Sequence, residues 1–351
     1  MNQNMNLKLF SDINLYDPFF DSLKSDYPGF ENWFQRKINE NERAFVQYNL
    51  DKNIEGFLYL KTENYSVSDV KPMIKANKIL KVGTFKIDAH GTKLGERFIK
   101  VIMDTAVSEK VDVCYVTIYP KHTPLINLVE QFGFKKHGIK GDDSNPENVY
   151  VKYMNIITGN INYDYPLINT AVSKKYLLSI YPQYHSVMFP DSILTTENRN
   201  LITDVSYTNS IHKIYVCRMK DAHLFQYGDI LIVYRTAEYP KSAEYSSVAT
   251  SICVVEEVKS QNSFASFEDF YNYSCQYSVF DEEDLKYWYN KGNCIAIKMT
   301  YNAALSKRIV RHDLINKVGL CRSGYWGILE LDDSEFNKII TLGMKNTSIL
   351  K

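Results

Sequence analysis

Lys81-Val-Gly-Thr-Phe-Lys-Ile-Asp-Ala-His-Gly-Thr-Lys-Leu-Gly-Glu-Arg-Phe-Ile99 is the stretch whose reading decides the first half of this chain. β-Branched and aromatic residues from Ile79 to Asp88 predict a strand. His90 to Leu94 reads as a turn. From Leu94 to Val107 the apolar residues Leu94, Phe98, Val101 or Ile102, and Thr105 or Ala106 recur at helical spacing. A turn that opens directly into a helix leaves backbone N–H groups without intrahelical acceptors. Gly91 and Gly95 let the main chain come close to a ligand, and the helix start carries partial positive charge. Together these suit a pyrophosphate. The same two-glycine turn, taken alone, also serves as plain punctuation.

The sequel narrows that choice. Val111 to Tyr119 is a nearly continuous apolar strand, as a central position demands. A helix from Thr123 to Phe132 follows, then Gly133-Phe134, a turn from Gly141 to Pro146, and an alternating strand from Asn148 to Met154. Strand, helix, strand, helix, strand implies a mixed sheet covered by helices. Upstream, Leu7 to Phe10 predicts a strand. Phe19 to Asn39 predicts a helix interrupted at Pro28, and Arg43 to Asn49 and Ile54 to Lys61 predict two further strands.

This order resembles the acetyl-CoA-binding core of GNAT-type N-acetyltransferases. The family's Arg/Gln-x-x-Gly-x-Gly/Ala signature is matched by His90-Gly91-Thr92-Lys93-Leu94-Gly95, and its helix-ending Gly-Phe by Gly133-Phe134. The resemblance implies that the amides from Gly91 through Thr92, Lys93, Leu94 and Gly95 to Glu96 hold the pyrophosphate of coenzyme A. The strand end at Phe85, Ile87 and Asp88 would pair with the pantetheine arm, and the strand Val111–Tyr119 would splay away to open a slot for the acetyl group. Two departures stand out. Lys93 replaces a glycine and His90 the Arg/Gln; Lys93 still offers a phosphate a point charge. Val129 stands where many members carry the tyrosine that protonates the leaving thiolate, and His122 where an Asn is frequent.

Acetyl transfer to an amine needs a neutral amine, a stabilised oxyanion and a proton for the thiolate. Tyr119, at the end of the central strand, is the first candidate acid and Tyr150 the second. His122 is the candidate base, its ordinary pKa lying near neutrality. Each tyrosine also reads as a sheet-face aromatic and His122 as a helix-start surface residue. Glu96 reads as a surface charge matched to the helix dipole.

Residues 1–158 are therefore expected to form an α/β mixed-sheet GNAT-like acyltransferase domain. The Gly, Asn, Asp and Pro of 159–174 read as a linker. A different texture fills 175–345. Strands are predicted over Lys175–Ile180, Ile211–Arg218, Asp229–Thr236, Ser246–Lys259 and Cys294–Tyr301, with acidic helices at Phe267–Tyr273 and Asp281–Trp288. Gly228-Asp229 before an apolar strand ending Tyr234-Arg235 is similar to PUA-like domains of the ASCH and EVE kind, small β-barrels associated with RNA or modified-base binding. Arg235 and Lys213 are candidates for phosphates, Tyr215, Tyr234 and Trp326 for stacked bases, and Asn209 for a base edge. Tyr215 and Tyr234 also read as barrel packing.

Composition sets the limits. Among 351 residues, Lys+Arg number 41 and Asp+Glu 41, so no bulk charge draws the chain to nucleic acid or membrane. No apolar run approaches the ~20 residues of a membrane span. The start is polar and Asn-rich, without the pattern of a secretory signal, and none of the six cysteines forms a CxxC pair. A cytoplasmic protein with reduced, buried thiols is expected. No HExxH motif or paired carboxylate cluster supports a metal hydrolase, and no metal site is expected. The expected function is acetyl-CoA-dependent N-acetylation of an amine, with an acceptor that is RNA-linked and presented by the second domain. The alternative is a non-catalytic nucleic-acid-binding or regulatory protein whose degenerate GNAT domain senses acetyl-CoA.

Overall fold

The computed structural model describes residues 5–141, 146–194, 197, 204–238 and 240–351. Two compact units result: Met1–Asn155 with Ile202–Val205, and Ile156–Leu201 with Ser206–Lys351.

The first unit runs β1 (Asn6–Leu9), α1 (Asp21–Asp26), α2 (Phe30–Asn39), β2 (Arg43–Tyr48), β3 (Ile54–Glu63), β4 (Val70–Lys71), β5 (Ile79–Ile87), α3 (Leu94–Ser108), β6 (Val113–Ile118), α4 (Thr123–Gln131), β7 (Lys135–Lys140) and β8 (Glu147–Tyr153). These strands form one mixed sheet in the order β1-β2-β3-β5-β6-β8-β7-β4. Pro28 does split the expected first helix: Tyr27 is extended and Gly29 takes φ +91° between α1 and α2. Alternation along β3 gives the sheet two faces. Gly56 meets α3, where a Cβ would lie 2.4 Å from the Phe98 ring. Phe57 and Tyr59 point the other way, into edge-to-face contacts with Phe10 beneath α2. Each such pair adds about 0.5–1.5 kcal/mol beyond burial, and Phe10 in turn meets Trp33 and Phe34 of α2 edge-on.

The strands β5 and β6 are parallel neighbours for four residues only, Ile79–Val82 beside Val113–Val116. Both then continue, to Ile87 and to Ile118, without pairing to each other. A bulge starts this parting. Tyr59 pairs with Thr84 but Leu60 with Val82, leaving Gly83 out of the ladder. A Cβ on Gly83 would stand 2.7 Å from Tyr59 Cδ1, so glycine is what lets the bulge close.

The second unit begins before the expected boundary. Residues 159–174, read as a linker, are built into it. Asp164 accepts hydrogen bonds from the amides of Thr158 and Gly159, and buried Tyr165 donates its hydroxyl to the Tyr301 carbonyl. Ile168 and Thr170 pair with Ile349 and Lys351. The polar residues there make caps and turns, which composition alone does not separate from flexibility.

Its elements are α5 (Ile161–Asp164), β9 (Lys175–Ile180), α6 (Pro182–Met188), α7 (Ser206–Asn209), β10 (His212–Cys217), β11 (Ile230–Arg235), α8 (Ala243–Ser246), β12 (Val248–Ser260), α9 (Phe267–Ser274), α10 (Glu282–Asn290), β13 (Ile295–Val310), α11 (Arg311–Asp313), β14 (Ile328–Leu331) and α12 (Asp333–Gly343). The strands form one sheet in the order β10-β13-β12-β11-β9-β14, with β9 and β11 parallel. Three register shifts bend the long pair β12–β13. The sheet curls, so that Val216 of β10 and Ile328 of β14, at opposite edges, share one core. The fold class is an α/β mixed-sheet unit followed by a mostly-β unit. Strand β13 runs nine residues past the predicted end at Tyr301, to Val310.

Candidate functional site

The turn between β5 and α3 has the geometry of an anion seat. Gly91 and Lys93 both adopt left-handed backbone, with φ +83° and +58°. Lys93 is the N-cap of α3, and its side chain makes no capping bond to the helix amides. Among the described residues, no acceptor meets the amides of Leu94 and Gly95. An anionic group already lies against this turn. His90 Nε2 is 2.7 Å from Asp204 Oδ2 and 2.9 Å from Thr92 Oγ1, while His90 Nδ1 is 2.7 Å from the Asp88 carbonyl. Burial alone would lower the His90 pKa; Asp204, the Asp88 carbonyl and Glu55 outweigh it and raise the pKa above its ordinary value. Glu55, His90 and Asp204 each turn one ligand atom toward the others, a grouping that could hold a cation.

The Leu94 and Gly95 amides at the start of α3 are donors of the kind a diphosphate needs, while the Asp204 carboxylate already on His90, with Glu55 beside it, would compete with one. Gly95 has a further duty. A Cβ there would lie 2.8 Å from Leu128 Cδ2, so it brings α3 and α4 together. Glu96, expected at the surface, is buried, as is Leu94. Phe85 is buried against Phe98, while Ile87 and Asp88 are more open at the strand end.

The Gly133-Phe134 pair terminates α4. Gly133 takes φ +82°, and the buried Phe134 returns its amide to the Val129 carbonyl. Val129 itself is buried.

Tyr119 and His122 follow β6 immediately, at the open end of the parted strands, and the His122 amide bonds to the Tyr119 carbonyl at 3.0 Å. Residues that the sequence did not single out complete this place. Asp26, ending α1, lies 3.2 Å from His122 Nε2 and 2.5 Å from Lys121 Nζ. Lys121, and after it His122, hold the Asp26 carboxyl below its ordinary pKa against the effect of burial. The Tyr27 ring lies 5.0 Å from that of Tyr119, inclined by 33°. The Tyr27 hydroxyl donates to Glu147 Oε1 at 3.2 Å. Tyr150 is not part of this group. Its neighbours Val149 and Val151 share a face with Tyr115, so strand alternation sends Tyr150 to the other face, buried, with its pKa raised first by burial and then by Glu130.

In the second unit the six residues expected to meet nucleic acid are all buried. The Lys213 ammonium donates to the carbonyls of Tyr207 and Thr208, and Asn209 is enclosed beside them. Tyr215 belongs to the core. The Arg235 guanidinium is bracketed by Glu197 at 2.7 Å and Glu238 at 2.8 Å. Tyr234 packs on Trp326, which also meets the Arg311 guanidinium, 4.2 Å from its ring, and donates its indole N–H to the Cys321 carbonyl. Among the described residues of this unit, the exposed tyrosine rings are Tyr163, Tyr181, Tyr227, Tyr245, Tyr287 and Tyr325. A buried polar network also lay outside the sequence reading: His185 Nε2 meets Thr250 Oγ1 at 2.8 Å, and Ser192 meets Ser251 and Tyr301. Of the cysteines, four are buried, Cys275 is half-buried and Cys321 is exposed.

No family model and no curated protein matches this sequence. Solved structures do. An ASCH protein from Zymomonas mobilis is 9% identical, covers 51% of this chain and 99% of its own, and gives a TM-score of 0.35. A probable acetyltransferase from Staphylococcus epidermidis is 15% identical over 44% of this chain and 99% of its own, with a TM-score of 0.33. A GNAT-family acetyltransferase from Streptococcus pneumoniae is 12% identical over 43% and 98%, also at 0.33. The chain thus finds two kinds of solved structure, ASCH domains and GNAT-family acetyltransferases, each over about half its length. Among the described residues, no helix is long and apolar enough to cross a membrane.

Proposed function

We propose that the first unit is an acetyl-CoA-dependent N-acetyltransferase acting on an amine. The observation that carries this reading is the parting of β5 from β6 after Val82 and Val116, with an anion-seating turn at the far end of β5. The unpaired backbone of β5 offers hydrogen bonds to an amide-bearing arm, and the slot leads to Tyr119 and His122. Asp26 faces His122 Nε2, which leaves Nδ1 to carry the lone pair when the ring is neutral. In transfer, the ammonium form of the acceptor gives one proton through His122 to solvent; the neutral nitrogen attacks the thioester carbon, the C–S bond breaks as Tyr119 protonates the thiolate, and the second proton on nitrogen returns through His122 to the Tyr119 phenolate. Asp26 acts through His122 as a positioning residue. The proposal extends to an RNA-linked acceptor delivered by the second unit, whose exposed Tyr181 and Tyr325, rather than the buried rings, are open to a base.

Val129 favours a second reading, an acetyl-CoA sensor without turnover, because α4 supplies no hydroxyl at that position. Calorimetric titration of acetyl-CoA into the whole protein and into Lys93→Glu tests both. Micromolar binding, weakened roughly tenfold by the reversed charge, supports the site. Absence of binding by folded wild type removes it. Binding without thiol release for any amine leaves the sensor.

A further inference from the structure

The group at the end of α1 specifies more than proton transfer: it also selects the acceptor, an inference that rests on the acetyltransferase reading. Glu147 and Tyr27 are 120 residues apart in sequence, yet the Tyr27 hydroxyl is bonded to the Glu147 carboxylate. The Tyr27 ring is also paired with that of Tyr119. Burial first, and then the Glu147 charge, raise the Tyr27 pKa, so its hydroxyl stays a neutral donor. The two carboxylates here differ. Asp26 is matched by Lys121 and His122. Glu147 has no lysine, arginine or histidine partner among the described residues. A half-buried carboxylate without a cation, beside two aromatic rings at the mouth of the slot, attracts a compact positive charge.

We propose that Tyr27, Tyr119 and Glu147 form the acceptor seat, and that the acceptor is a primary alkylammonium, such as a diamine or a lysine side chain. The ammonium head lies against Glu147 and the Tyr27 ring, since Lys121 Nζ already lies 6.0 Å from the centre of the Tyr119 ring, and its alkyl stem runs along the edges of the two rings. An acceptor with a carboxylate beside its amine is repelled by Glu147. The seat holds the protonated amine, and His122 takes the proton that must leave before attack. One methylene more or less changes the fit little; the sign of the charge changes it greatly.

The test uses the whole protein with saturating acetyl-CoA, following thiol release with 1,4-diaminobutane, a lysine-containing peptide and L-glutamate. The diamine and the peptide are expected to be acetylated and glutamate left untouched. Glu147→Gln is expected to raise KM for the diamine roughly tenfold with kcat within about twofold, the pattern of lost ground-state binding. Tyr27→Phe, which keeps the ring, is expected to give a smaller rise in KM. Diamine binding is also titrated without acetyl-CoA, so that the seat is judged even if the cofactor does not bind. Saturable diamine binding weakened by Glu147→Gln supports it. Glutamate accepted as well as the diamine, an unchanged KM and affinity in folded Glu147→Gln, or a protein that binds acetyl-CoA but neither binds nor acetylates the diamine, overturns it.

Discussion

Gly95 and Leu128 touch across the α3–α4 junction: a Cβ on Gly95 would stand 2.8 Å from Leu128 Cδ2. Gly95 therefore lets two helices meet, a duty separate from its place in the proposed cofactor turn. The wall it faces is the tip of a flexible, partly exposed side chain, which can turn away. Gly138 faces a different wall, the Lys71 carbonyl oxygen at 2.0 Å. Gly95→Ala is expected to change stability by about 1 kcal/mol or less, because helix propensity offsets the crowding. Gly138→Ala is expected to cost more than about 3 kcal/mol, since backbone must move. Urea denaturation of both variants measures the contrast. Equal losses would mean that Leu128 is as fixed as a main-chain carbonyl.

His185 makes the second unit sensitive to acid. It is fully buried; burial first, then Arg235 and Arg308, push its pKa down from 6.5 to about 3. The unfolded chain binds a proton near pH 6.5 and the folded chain does not until about pH 3. Between those values the unfolded state holds more protons, so stability falls as pH falls. The slope reaches about 1.4 kcal/mol per pH unit. His185→Leu is expected to flatten the fall between pH 7 and pH 4.5, even though it leaves Thr250 short of a partner. A wild-type denaturation midpoint that holds steady over this range would rule the effect out.

Arg235 is placed as a structural cation. Its guanidinium is bracketed by Glu197, itself largely buried, and by Glu238. Removing the cation leaves Glu197 buried without its partner. Arg235→Ala is expected to cost about 3–5 kcal/mol. A variant of wild-type stability would mean that the bracket does not form, and would return Arg235 to the phosphate-binding candidates.

Much of the first unit was legible because its signals are local. Periodicity marked β5, α3, β6 and α4. Pro28 marked the break between α1 and α2, and Gly133 the end of α4. Strands β4 and β7 escaped notice for the opposite reason: β4 has two residues, and β7, Lys-Lys-His-Gly-Ile-Lys, is polar but for Gly138 and Ile139. At the candidate site, Tyr119 and His122 were readable from their place after β6. Asp26 and Glu147 were not, since each meets its partner across 95 or 120 residues of chain.

By itself, then, the sequence determined the order of the main strands and helices of the first unit, the helix stops, the turn into α3 and the change of texture between the units. Hydrophobic period, glycine and proline act within a few residues of where they stand. Tertiary structure alone decided that Asp26 faces His122, that Tyr150 lies on the other face from Tyr119, and that Arg235 and Lys213 are enclosed rather than presented. A charged side chain can be buried once carboxylates or carbonyls meet it. Whether they do depends on strand register and helix packing across the whole unit, which no local spacing records.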